Sequence, residues 1–347
     1  KKQTPWTECA AGDIVAMAKL KKTVLCDVLA APGQTVAFPG YAFPSPVFSL
    51  AVRGKTQGDE DKIGTALQRI AEEDPTILVR RDPDTHETVM SGLGDMHLAV
   101  AMDRMKRRSG VEVASSVPKV PYKETVTGRG EGHYKHKKQT GGRGQYGEVY
   151  LRVERLPDGD DEWFADAVVG GVIPGNFMPA VQKGVQEGML RGAVAGYPVT
   201  GVKTTVYDGS YHDVDSSEIA FKIAGARAFR DAMSKSKPVL LEPILEVKIE
   251  IPDHYMGDVT GDLNHRRGRI LGMGAEGGMQ IITAEVPMAE LFLYSAELRS
   301  MTGGRGSFSM AFTRYDVVPS NVAQKVIAAA EKIKEDPFRI LVVANKF

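Results

Sequence analysis

From Val47 onwards the apolar residues fall into short alternating runs and longer stretches at helical spacing, and their order repeats. VFSLAVRG (47–54) reads as a strand, Asp59 to Glu73 as an amphipathic helix stopped by Asp74-Pro75, and TILVRRD and ETVMSGL as two strands. Asp95 to Arg108 then reads as a second helix and VEVAS as a closing strand. The same βαββαβ order returns near the other end as ILEVKIEIP, a helix from His254 to Arg267, RILGMGA, MQIITAEVP, a helix from Met288 to Met301, and SFSMAFTRYDVV. Each copy predicts a ferredoxin-like domain, an antiparallel sheet with both helices on one face.

Between the copies, Val120 to Pro238 opens with strands rich in Gly and Lys. It continues through EVYLRVERL, WFADAVV, a helix from Phe177 to Leu190, the strand VTGVKTTVYDG and a long helix from Ser216 to Ser234, which predicts a separate α/β domain. Ahead of the first copy, Ala11 to Val28 carries short β-branched runs broken by Gly12 and Asp13 and reads as the remnant of a β-barrel. Pro32 to Pro46 reads as an extended linker. At the far end, Pro319-Ser320-Asn321 starts a helix through VAQKVIAAAEKIKE that Asp336-Pro337 ends, with the central domain as its expected dock.

Composition adds limits. The chain has 347 residues, 42% hydrophobic and 25% charged, enough for several cores without disulfides, and no apolar run reaches the roughly 18 residues of a membrane span. Cys9 and Cys26 are too few for a disulfide framework, so a reducing cytoplasm is the default. Lys plus Arg and Asp plus Glu each number 44, so any basic surface is local.

The strongest local signal is HYKHKKQTGGRGQYGEVYLR (133–152), in which Lys135, Lys137, Lys138 and Arg143 lie among Gly141, Gly142 and Gly144, with Gln145 and Tyr146 following. Cations, close backbone approach and a stacking ring suit RNA phosphate and base contact; the plain alternative is a solvated hairpin. The second signal is DGSYHDVDSSE (208–218). Asp215 or Ser216 is the expected cap of the following helix and Glu218 a capping-box partner, while His212 has no such task. His212, Asp213 and Asp215 lie within one turn and lack the convergence from separate elements of most metal sites, so no metal ligand is assigned. Arg266, Arg267, Arg299 and Arg305 lie at helix ends in the downstream module, where phosphate contact and helix-dipole compensation are compatible. Gly54-Lys55-Thr56 resembles the end of a phosphate loop, but Ser49 stands where its first glycine belongs. Asn345-Lys346 lacks the aspartate of a guanine-reading element, and neither GxSxG nor HExxH occurs, so no catalytic residue is assigned.

In order along the chain, EEDPT, SGLGDMHL, PYKETV, KQTGGRGQYGEV, GGVIPGNFMPAVQKGVQEG, GYPVTGV, GSYHDVDSSE, KPVLLEPI, GDVTGDLNHRRG and PSNVAQ resemble translation elongation factor G from its third domain through its fifth. The resemblance implies the end of a β-barrel second domain at 1–36, a linker at 37–45 and the ferredoxin-like third domain at 46–118. A fourth domain like ribosomal protein S5 domain 2 follows at 119–239, then the ferredoxin-like fifth at 240–318, a helix docking on the fourth at 319–336 and a tail at 337–347. It implies a cytoplasmic, monomeric GTPase that moves tRNA and mRNA, with GTP and Mg²⁺ in a GTPase domain absent from this chain. The implied partner is the ribosome: its rRNA, the tRNA–mRNA duplex in the decoding region and the large-subunit stalk base, with no membrane.

In that likeness the fourth domain's tip, Gly141 to Tyr146 with His212 to Asp215, enters the decoding region, and Arg266, Arg267 and Arg305 face large-subunit rRNA. Leu293, Ser295, His265, the tail FRILVVANKF and the stretch FPSPVFSLAVRGKTQGDEDKI are closer to the elongation-factor-G-like paralogues. A ribosome-recycling paralogue and a ribosomal-protection protein are the rivals within translation. A metabolite kinase on the S5-like domain is disfavoured because GGRGQYG precedes a strand rather than a helix, and a protein-interaction scaffold is the remaining alternative.

Overall fold

The computed structural model describes residues 5, 7–20, 22–138, 144–157 and 159–335. The first module runs β1 (Phe48–Gly54), α1 (Gln57–Glu73), β2 (Leu78–Arg81), β3 (Thr88–Gly92), α2 (Asp95–Ser109) and β4 (Val113–Ser116). Its sheet order is β2-β3-β1-β4 with every pair antiparallel, the ferredoxin-like arrangement. Thr56 and Asp59 close a capping box at the start of α1, and Gly110 ends α2 in the left-handed region (φ 62°). The apolar stripes of these helices, Ile63, Leu67 and Ile70 with Leu98 and Met105, bury against Phe48, Val52 and Met90.

The central domain comprises β5 (Lys123–Val126), β6 (Gly130–Lys138), β7 (Gln145–Arg155), β8 (Phe164–Asp166), α3 (Met178–Arg191), β9 (Val202–Ser210) and α4 (Glu218–Lys235). Its sheet runs β6-β7-β9-β8, with β8 parallel to β9 and the other pairs antiparallel. Both helices cover one face, where Val149, Leu151 and Val206 meet Val181, Ala224 and Phe229. Strand β6 lies almost directly on α4, because a Cβ at Gly132 would stand 2.1 Å from the Ala228 carbonyl oxygen. The opposite face carries no helix among the described residues.

The last module runs β10 (Pro238–Pro252), α5 (Met256–His265), β11 (Arg269–Glu276), β12 (Met279–Pro287), α6 (Tyr294–Met301) and β13 (Ser307–Val317). Its order β11-β12-β10-β13 repeats that of the first module, and β5 of the central domain pairs with the start of β10, joining the two units. Helix α7 (Ser320–Glu335) lays Val322, Val326, Ile327 and Ala330 on Tyr122, Ala195, Tyr197 and Leu240 at the base of the central domain. Among the described residues no helix is long and apolar enough to cross a membrane.

Two expectations are corrected. Ala11 to Val28 forms no strand among its described residues; the segment is exposed, Ile14 completely so. A strand needs a neighbour to take up its backbone groups, and this one finds none. The single helix expected from Met288 to Met301 is a short 3₁₀ turn at Met288–Glu290 followed by α6, an arrangement that buries both Leu291 and Tyr294 and leaves Leu293 outside. Asp336 and the tail lie outside the described residues.

The base is held by Glu124, which is fully buried and accepts hydrogen bonds at 2.6 to 3.1 Å from the backbone N–H groups of Ala193, Val194, Ala195, Gly196 and Tyr197. Five donors on one carboxylate close the loop between α3 and β9 and shape the surface on which α7 rests. Glu124→Ala is expected to cost about 3 kcal/mol or more by orphaning these amides. Urea unfolding and hydrogen exchange at residues 193–197 measure it; native protection in the variant would contradict the assignment.

Candidate nucleic-acid interface

Two connections meet at one end of the central sheet: the hairpin between β6 and β7, and the loop from β9 to α4. Gly141, Gly142 and Arg143 of the hairpin lie outside the described residues. Lys137 and Lys138 end β6 exposed, and across the hairpin His136 Nε2 and Gln145 Oε1 are 3.0 Å apart. The connections are fastened to each other at Asp215. The Tyr146 N–H donates to the Asp215 carbonyl oxygen at 2.8 Å and the Gly144 N–H to its Oδ1 at 3.1 Å. A Cβ on Gly144 would stand 2.8 Å from that carboxyl group, so a side chain here would push the Asp215 carboxyl aside.

The second loop is organised by His212. Its Nδ1 accepts from the N–H groups of Val214 and Asp215, each at 3.3 Å. The His212 N–H donates to Ser216 Oγ at 2.8 Å and its carbonyl accepts from the Ser216 N–H at 3.0 Å. The helix cap therefore falls on Ser217, whose Oγ accepts from the Ala220 N–H at 3.3 Å, and not on Asp215 or Ser216. Those two side chains are already engaged within the tip, and Glu218, as the first helical residue, is too early for a capping box. Asp213 is exposed at the outermost turn.

Below the loops, on the helix-free face, lies Glu148. Its carboxylate accepts from His133 Nε2 at 2.8 Å, from the Tyr146 hydroxyl and Ser210 Oγ at 3.0 Å each, and lies 3.2 Å from Lys135 Nζ. The two hydroxyls are 2.5 Å apart, and Lys135 Nζ stands 5.2 Å from the centre of the Tyr146 ring. Burial alone would raise this carboxyl, but hydrogen bonds from His133, Lys135, Ser210 and Tyr146 outweigh it and hold the group at about 2, against an ordinary 4.5. Neither Glu148 nor Ser210 was a sequence candidate. In EVYLRV the alternation puts Glu148 on the solvent face, and only its cross-strand neighbours bury it.

The downstream arginines are not gathered into one patch. Arg266 bonds Asp262, Glu297 and the Glu290 carbonyl, with its guanidinium 5.0 Å from the Tyr294 ring centre. Arg267 takes the left-handed backbone region (φ 60°) and directs its fork at Glu242 at 2.5 and 2.9 Å and at Glu290 at 3.1 Å. Both spend their forks inside the module. Arg299 reaches the first module, 3.9 Å from Asp95 Oδ1 at the start of α2. Arg305 remains exposed, bonded to the Tyr255 hydroxyl at 2.7 Å and 3.1 Å from His254 Nε2. Among the described residues no cluster of His, Cys, Asp or Glu is arranged to hold a metal ion.

Three family descriptions match the chain in succession: elongation factor G domain III at 43–116, domain IV at 118–237 and the elongation factor G C-terminus at 239–326. The chain belongs to the elongation factor G family. It is 48% identical over 328 residues to an elongation factor G-like protein of Thermotoga maritima, covering 94% of this chain and 48% of that protein. A crystal structure of a Thermus thermophilus protein superposes with a TM-score of 0.74 at 44% identity, covering 85% of this chain and 44% of that one. The chain thus spans about half the length of these relatives. In family terms, the two fastened loops form the far end of domain IV.

A carboxyl depressed in the folded chain contributes stability that is complete above its unfolded value and lost as pH falls through its folded one. For Glu148 that window runs from about 4.5 down to about 2. Urea unfolding across this range, followed by tyrosine near-ultraviolet dichroism, is expected to show a loss on the order of 3 kcal/mol. Glu148→Gln should flatten the slope, and an unaltered slope would exclude the network as its origin.

Proposed function

We propose that this chain is the C-terminal part of a translational GTPase that promotes translocation of tRNA and mRNA on the ribosome, with domain IV carrying its paired loops into the decoding region. One observation carries the proposal. Gly144 and Tyr146 are bonded to Asp215, so two loops from distant parts of the chain make a single tip, with Lys137 and Lys138 exposed beside it. Backbone amides, glycine and lysine at such a tip suit recognition of an RNA backbone by charge and shape.

In this reading the tip acts by contact and GTP with its Mg²⁺ belongs to a part of the protein outside this chain. Arg305, exposed and bonded to Tyr255 and His254 rather than to an acid, faces large-subunit rRNA near the stalk base. Arg266 and Arg267 hold domain V in shape, and Arg299 ties it to domain III. The protein works as a cytoplasmic monomer. A second reading is an elongation-factor-G-like paralogue, favoured by the likeness to a relative so named, with ribosome recycling as the task it would serve.

In the full-length protein, Lys137→Ala, Lys138→Ala and Arg143→Ala combined are expected to slow single-round translocation roughly tenfold and to lower the salt dependence of ribosome binding by about one unit of log–log slope per cation contact removed. An unchanged rate and slope would defeat the proposal. Slowed subunit splitting with intact translocation would select the recycling paralogue.

A further inference from the structure

Three acidic side chains are buried among the described residues: Glu124, Glu148 and Glu242. Two have architectural partners, since Glu124 answers five backbone amides and Glu242 answers the fork of Arg267. Glu148 differs. It lies on the face away from α3 and α4, and what covers it are surface side chains from three strands: His133 and Lys135 of β6, Tyr146 and Tyr150 of β7, and Ser210 of β9. Apolar cross-strand neighbours would hold such a face together as well, without desolvating a charge. What the acid adds is direction.

We propose that Glu148 is the positioning residue of the domain IV tip, holding Tyr146 and Lys135 in one fixed arrangement against which RNA is received. This rests on the RNA-contact reading above. Tyr146 is gripped at both ends: its N–H donates to the Asp215 carbonyl at 2.8 Å, and its hydroxyl donates to Glu148 Oε2 at 3.0 Å. Lys135 is drawn to the same carboxylate and lies over the ring, whose centre is 6.2 Å from that of His212. With its hydroxyl spent inside and one face under an ammonium, Tyr146 is a rigid wall between the two loops rather than a free stacking platform. Rotamer freedom that a loose tyrosine and lysine would lose at every encounter is already lost on folding, which strengthens each encounter.

The test combines a ring probe with binding. In this chain labelled with 3-fluorotyrosine, the Tyr146 resonance, assigned by its loss in Tyr146→Phe, is expected to be sharp and to broaden toward that of an exposed tyrosine in Glu148→Ala. The resonance of buried Tyr294 should stay in place; should it also collapse, Glu148→Gln serves instead, with a smaller change expected in the same direction. In the full-length protein, Glu148→Ala and Tyr146→Phe should each weaken ribosome binding about tenfold, with no further loss in the double variant and partial rescue by Glu148→Gln. An unmoved Tyr146 resonance, or losses that simply add, would overturn the proposal. If instead Lys137→Ala with Lys138→Ala leaves ribosome binding intact, the RNA-contact reading fails, and the fluorine spectrum alone decides whether Glu148 positions the tip.

Discussion

The close approach of α4 to strands β6 and β7 determines where the tip of domain IV lies. Gly130 and Gly132 on β6 and Gly147 on β7 face Ala232, Ala228 and Ala220, and a Cβ at the first two would stand 2.3 and 2.1 Å from helix carbonyl oxygens. A helix pressed onto a sheet this closely has little room to slide or roll. Its N-terminus, and so the loop His212 to Ser216 before it, is delivered to Gly144 and the start of β7. The bonds from Gly144 and Tyr146 to Asp215 follow from that placement.

Buried carboxylates then secure both ends of the same sheet, each by a different means. At the base, Glu124 gathers backbone amides and so fixes chain path, which gives α7 and β10 a firm surface. Near the tip, Glu148 gathers side chains and so fixes rotamers. A carboxylate satisfied by several donors is costly to disturb at either place, because each lost partner leaves a buried charge short of hydrogen bonds. The domain is thereby stiff at its base and ordered near its paired loops.

Much of the fold was legible because it depends on local periodicity. The alternation in VFSLAVRG and ILEVKIEIP and the helical spacing from Asp59 to Glu73 mark elements whose faces are chosen by burial, and the repeated βαββαβ order followed from them. Periodicity misled at Ala11 to Val28, where β-branched runs found no neighbouring strand, and at Met288 to Met301, where two buried side chains required a break. The paired loops were found by their glycines, lysines and polar clusters. His212 was left without a structural task because its work, accepting two amides within its own turn, has no signature in spacing.

By itself the sequence determined the order of the modules, the family and which two segments carry cations, glycines and polar residues suited to RNA. Those properties reside in residue type and near-neighbour spacing. Only the tertiary structure decided that the two segments share Asp215, that Ser217 rather than Ser216 caps α4, that Arg266 and Arg267 are spent on internal acids while Arg305 is not, and that Glu148 is buried. Most of these depend on groups tens of residues apart meeting across strands and helices, and the Ser217 cap depends on Ser216 being taken up by His212 within the same loop; no spacing pattern records which of several available partners a polar group will take.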